Sequence, residues 1–228
     1  AVLWYRRSQE TSRRAGDVVR AAMDGANAAE VLIGQRRYNE AAIELNEARR
    51  VLRAAEAYPY LGFVEMQLAR LDVATGNTNE AIAKLESLRA ALLEAGDKLE
   101  LLEVEIHLTN ALTQANRPDE ALELIGIAEK AAGSSSDFFA AAIARVRSQA
   151  LWALGEVEAA RAEAVTGLSA AVQAAQPYEE ALLRKWRIWM AAASGVRADS
   201  VDLHRAEELL RRLGIEAEPA EQPLAIQS

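Results

Sequence analysis

A self-match at forty residues constrains this chain more than any other feature. The small residues Ala41, Ala81, Ala121 and Ala160 stand 40, 40 and 39 positions apart. Glutamate precedes three of them, as Glu40-Ala41, Glu80-Ala81 and Glu120-Ala121. Four residues on come Leu45, Leu85, Ile125 and Ala164, one helical turn along the same face. Seven on come Ala48, Leu88, Ala128 and Gly167; twelve back come Ala29, Ala69, Thr109 and Ser148. Small residues at the last set let two antiparallel helices approach closely, so Ala69 and Ala121 are expected at buried helix contacts. A fixed period of this length is the mark of a helical solenoid, in which each unit buries its apolar face against the next.

The residue types agree. Alanine alone contributes 49 of the 228 residues, and Ala, Leu, Glu and Arg, all good helix formers, fill most of the rest. Strict alternation of apolar and polar residues, the strand signal, is rare. The breakers are few and regularly placed: Gly16-Asp17, Gly34 to Arg37, Pro59, Gly76 to Asn79, Asp97, Asn116-Arg117-Pro118, Ser134 to Asp137, Gly155-Glu156 and Pro177. Asp, Ser and Asn there can accept the free N–H groups of a first helical turn, and Pro at that point loses no needed donor. The spacing predicts helices over 1–15, 17–33, 38–56, 59–75, 78–95, 98–115, 118–132, 137–154, 157–175, 178–194 and 200–213. Residues 1–15 read as the second helix of a truncated preceding repeat and 16–214 as the repeat domain. Residues 215–228, broken by Pro219 and Pro223, read as a disordered tail, of which Glu216 to Ser228 is expected to add no core.

The turns between paired helices carry a resemblance. Gly76-Asn77-Thr78-Asn79-Glu80-Ala81 resembles the signature turn of the tetratricopeptide repeat (TPR), in which a glycine and a short polar stretch lead into Glu-Ala. Asn116-Arg117-Pro118-Asp119-Glu120-Ala121 matches with Asn for Gly. Tyr38-Asn39-Glu40-Ala41 matches after a lengthened turn, and Gly155 to Ala160 is the fourth copy. The chain departs from the family in period, about 40 residues rather than 34. The resemblance covers about residues 17–175 and implies a right-handed α-α superhelix of about five hairpins, its first helices lining a concave side. The Ala95-Gly96-Asp97 break and the closing Arg205 to Ile215 look like the TPR tails of large bacterial signalling proteins. Those include cyclase–ATPase proteins and LuxR-like or maltose-regulator-like transcription activators. On that likeness, and on its start without Met, the chain reads as a piece of a longer cytoplasmic protein.

Composition excludes several function classes. With no cysteine there is no disulfide framework, thiolate metal site or cysteine nucleophile. The formal charge of −8 argues against a general nucleic-acid binder. No apolar run approaches the ~20 residues that span a bilayer. Phosphate-binding loops and HExxH are absent from the sequence. The two histidines, His107 and His204, have no partner at ligand spacing and read as core-edge or surface residues. Glu100, Glu103 and Glu105 read as a solvated face, as do Arg36, Arg37, Arg49, Arg50 and Arg53. Trp186 and Trp189 share a helix face and read as packing that closes the solenoid.

No catalytic residue, metal site or cofactor is therefore expected, and the groove becomes the candidate site. The alanine register places Phe63, Met66 and Arg70 inward, followed by Ile106 and Asn110, then Arg145, Gln149 and Trp152, then Arg184 and Ile188. Arginines, amides and apolar residues in one row suit a peptide segment, acidic or ending in a carboxylate. The expected function is a non-enzymatic protein–protein interaction or regulatory module. The alternative, implied by the maltose-regulator resemblance, is a small-ligand sensor. The two differ in shape: an open groove against a closed polar-aromatic cavity.

Overall fold

The computed structural model describes residues 1–215, apart from the side chain of Ser135. Among the described residues the chain is all α, with no strand. Its helices are α1 (Val2–Arg14), α2 (Val18–Gly34), α3 (Tyr38–Ala54), α4 (Leu61–Ala74), α5 (Thr78–Ala95), α6 (Lys98–Gln114), α7 (Pro118–Ala132), α8 (Ala140–Ala153), α9 (Val157–Gln173), α10 (Pro177–Ala193) and α11 (Ser200–Arg212). Two starts differ from expectation. A 3₁₀ turn, Tyr58–Tyr60, takes up Pro59 before α4 begins. A longer 3₁₀ stretch, Gly133–Phe139, occupies the serine run, so α8 begins at Ala140 rather than 137. Aspartates cap three helices as their position suggests: Asp17, Asp97 and Asp199 accept from the N–H groups of Arg20, Glu100 and Val201.

The helices stop by one repeated device. A residue in the left-handed region follows α1 to α6 at Gly16, Arg36, Glu56, Gly76, Gly96 and Asn116, and later helices at Gly155, Ala175, Gly195 and Gly214. From Gly16 to Asn116 these residues recur every twenty positions. In most cases the next N–H reaches back to a carbonyl of the last turn, as Arg37 N to Leu32 O at 2.9 Å and Ile215 N to Leu210 O at 2.8 Å. The single helix with its cap is thus a twenty-residue unit, and two make the forty-residue period.

The alanine register is the core. Ala41, Ala81, Ala121 and Ala160 are fully buried, and so are Ala29, Ala69, Thr109 and Ser148. Two compact units divide the chain within α5, one covering Ala1–Ala91 and the other starting at Leu92. In the first, Val2 of α1 joins Ala29, Leu32, Ala41, Leu45, Leu52, Val64 and Leu68 in one cluster across α1 to α4. The second has a chain of smaller clusters, each shared by consecutive helices. Leu102, Ile125 and Ile143 join α6, α7 and α8; Trp152, Ala164 and Trp186 join α8, α9 and α10; Ala181 and Leu209 join α10 and α11. Nearest-neighbour burial of this sort is what a repeat fold requires.

The expected tail, 216–228, lies outside the described residues. Ile215 was expected with it, but is buried against Ala181, Leu209 and Leu210 and belongs to the α10–α11 core.

Candidate partner-binding surface

Within each unit the helices follow one packing rule. Each of α2, α6, α8 and α10 (the first helices) packs on the second helix that follows it: α3, α7, α9 and α11. First helices also pack on one another: α2 on α4, α6 on α8 and α8 on α10. Close approach is built in at the α8–α9 contact. A Cβ at Gly167 would lie 2.9 Å from Ala144 Cβ, 3.1 Å from Leu183 Cδ2 and 3.3 Å from the Ala141 carbonyl oxygen. No side chain fits there without moving the backbone of α8.

The residues expected in the groove fall into three groups. Met66, Ile106 and Trp152 are buried in the core, where nothing outside the chain can reach them. Arg70, Arg145 and Arg184 are held by carboxylates of this chain. Arg70 Nη1 donates to Glu30 Oε1 of α2 at 2.9 Å and to Gln67 Oε1 at 2.8 Å. Arg145 Nε donates to Glu179 Oε2 of α10 at 2.7 Å, and its Nη2 to Glu179 Oε1 at 3.2 Å. Burial opposes the Arg145 charge, but the charge and hydrogen bonds of Glu179 outweigh it and hold the pKa above that of a free arginine. Arg184 donates to Glu180 at 3.0 Å and to Asp202 of α11 at 2.6 Å. These three therefore do not project together as open cations. They tie neighbouring helices.

The third group remains half-buried. Phe63 packs on the core of the first unit. Asn110 on α6 and Ile188 on α10 keep part of their surface open. Gln149 on α8 carries a side-chain oxygen that is shut from solvent and has no hydrogen-bond partner among the described residues; the same holds for Gln67 Nε2 and Trp152 Nε1. Each such orphan costs about 1–3 kcal/mol unless a further group satisfies it.

Arg184 belongs to a larger ionic chain that sequence reasoning missed. Asp202, 5% exposed at its side chain, faces both Arg184 and Arg187, the latter at 3.1 Å. Glu180 faces Arg184 and Arg205, and Glu208 faces Arg205 and Arg212. Hydrogen bonds from Arg205 first, and then the nearby Arg212 charge, hold the Glu208 carboxyl below its usual range. The i, i+3 and i, i+4 spacings within α10 and α11 were visible in the sequence; the pairing across helices was not.

Three tryptophans complete the second unit. The rings of Trp186 and Trp189 stack at 4.8 Å, and Trp152 stands edge-on to Trp189 at 5.1 Å. Trp186 Nε1 donates to Ser148 Oγ at 2.7 Å, and Ser148 Oγ donates to the Ala160 carbonyl at 2.6 Å. One small buried hydroxyl thus joins α8, α9 and α10, which supports the packing role expected for Trp186.

Among the described residues no cluster of three His, Cys, Asp or Glu is placed to hold a metal, and no helix is long and apolar enough to cross a membrane. The chain is a protein of repeated helical hairpins, and solved structures share that architecture. The crystal structure of BtubC (BKLC) from P. vanneervenii aligns over 100% of this chain and 96% of its own, with a TM-score of 0.60 and 14% identity. At that identity the likeness carries the fold alone. No protein-family model matches the chain, and no curated protein matches it in sequence.

Proposed function

We propose that this chain is a TPR-like, non-enzymatic interaction module that holds a segment of a partner protein against its first helices, as a regulatory part of a larger bacterial signalling or transcription-regulatory protein. The observation that supports it is the packing rule. Where first helices pack on one another as well as on their second helices, they form a layer of their own, and that layer is the surface helical-repeat proteins offer to partners. On it, Asn110, Gln149 and Ile188 of the second unit combine two partly exposed amide residues with an apolar side chain.

The test uses a photo-crosslinking amino acid at Asn110 or Ile188, with Ile127 of α7 and Val172 of α9 as controls on second helices. In cells of the source organism, the first-helix positions should capture a defined partner and the controls should not. Capture at the control positions instead would refute the placement of the surface.

A further inference from the structure

One cleft lies beside the first-helix layer and shares Ile188 of α10 with it. It lies between α9, α10, the α10–α11 connection and the head of α11, with a volume of about 330 Å³. Val165, Ile188 and Val196 give it apolar walls, and Arg161, Arg187 and Arg197 stand around it. Val165 and Val196 are more than half exposed, so the apolar surface opens outward.

The charges around the cleft nearly cancel, and the remainder is informative. Arg187 is paired with Asp202 at 3.1 Å, and Asp202 is shared with Arg184. Arg161 is paired with Glu158 at 2.8 Å and donates to Ser194 Oγ at 2.8 Å. Asp199 caps α11 by accepting from Val201 N at 2.8 Å, where the helix N-terminus offsets part of its charge. Arg197 alone of these has no carboxylate or hydrogen-bond partner among the described residues. Arg197 is thus an exposed, unpaired cation at the rim of an apolar cleft that also carries the Asp199 carboxylate.

We infer that this cleft is a binding site for a small monocarboxylate with a compact apolar body, its carboxylate on Arg197 and its body against Val165, Ile188 and Val196. A guanidinium matches a carboxylate in two parallel hydrogen bonds. With one free guanidinium and the Asp199 carboxylate on the same rim, a second negative charge on the ligand would be repelled, so a monoanion is selected over a dianion. At about 30 Å³ for each water-sized element, the volume suits a ligand of roughly ten non-hydrogen atoms in all. The carboxylate contact is independent of the partner surface proposed above, since Arg197 and Val165 lie on no first helix, although Ile188 of α10 borders both.

The probe is octanoate, titrated into the whole chain and followed by amide NMR shifts and tryptophan fluorescence. Met190, a wall of the cleft, packs in the cluster of Trp186, which makes the fluorescence a local reporter. Octanol supplies the body without the charge, and acetate the charge without the body. Octanoate should bind saturably, with shifts confined to residues around 161–165 and 187–202, and at least about tenfold more tightly than either control. Arg197→Gln should weaken octanoate about tenfold and leave octanol unchanged. Ala191→Leu, which fills the cleft from α10, should weaken both while helical circular dichroism stays the same. Equal affinity of Arg197→Gln and the parent for octanoate would overturn the site. So would shifts centred elsewhere, or no saturation below about 10 mM.

Discussion

The sharpest test of the packing is one substitution made at two glycines. Gly126 lies in the middle of α7 and Gly167 in the middle of α9, so helix propensity favours alanine by about 1 kcal/mol at both. Packing separates them. A Cβ at Gly126 meets nothing within 4 Å. At Gly167 it meets Ala144 Cβ at 2.9 Å and the Ala141 carbonyl oxygen at 3.3 Å, where carbon–carbon contacts prefer about 3.5–4.0 Å. Neither neighbour can turn away, because an alanine Cβ and a carbonyl are fixed to the backbone of α8. The two helices must move apart, and overpacking of this kind costs about 1–3 kcal/mol.

Gly126→Ala should therefore stabilise the protein by about 0.5–1 kcal/mol. Gly167→Ala should destabilise it by about 1 kcal/mol once the propensity gain is subtracted from the packing cost. In thermal terms the pair should straddle the parent, about 2–4 °C per kcal/mol at this chain length. Guanidinium unfolding followed by tryptophan fluorescence is the better assay, because Trp152, Trp186 and Trp189 sit on the helices that flank Gly167. Equal stabilisation by both substitutions would show that α8 and α9 are not in close contact at this point, and the alanine register would lose its physical basis.

Other consequences can be checked directly. Ala69, fully buried, should tolerate no bulk, and Ala69→Leu should lower stability by about 1–3 kcal/mol in the same assay. Ala175, held at φ 52, should do the opposite: Ala175→Gly removes a left-handed strain of about 1 kcal/mol and should raise the melting temperature. Glu40, hydrogen-bonded first by Arg37 and then by Arg6, has its pKa lowered from 4.5 to about 2. Its contribution to stability is complete above the unfolded value and fades as pH falls from 4.5 toward 2. A carboxyl NMR titration should place its midpoint near 2, and Arg37→Ala should move it back toward 4.5.

The fold was largely legible in the sequence, and the reason is steric. A position where two helices touch accepts only small side chains, so the contact leaves a trace in residue type at Ala41, Ala81, Ala121 and Ala160. The twenty-residue rhythm of the helix ends was harder to see. It is written in backbone conformation, and Arg36, Glu56, Asn116 and Ala175 adopt the left-handed cap without glycine. The hydrogen bond from the next N–H holds them there, so the sequence carries no glycine to mark the place.

The site was less legible because an ion pair has no fixed spacing between helices. Arg70 and Glu30 stand 40 residues apart, one full repeat, and a search for opposite charges at that interval would have joined them. Arg145 and Glu179 stand 34 apart, and Arg6 and Glu40 also 34, an offset set by where on facing helices two long side chains happen to meet. This pairing changes what the inner layer can recognise. The Arg145 and Glu179 side chains are only 14% and 20% exposed. An acidic partner reaching Arg145 would have to displace Glu179 and leave that carboxylate buried and unpaired. Removing one member of a buried pair costs about 3–5 kcal/mol, more than the roughly 1.5–3 kcal/mol that a new charge-assisted bond returns. The anion bound by these arginines is the chain's own. Gln149 Oε1 offers a partner no further contact, because it too is shut from solvent.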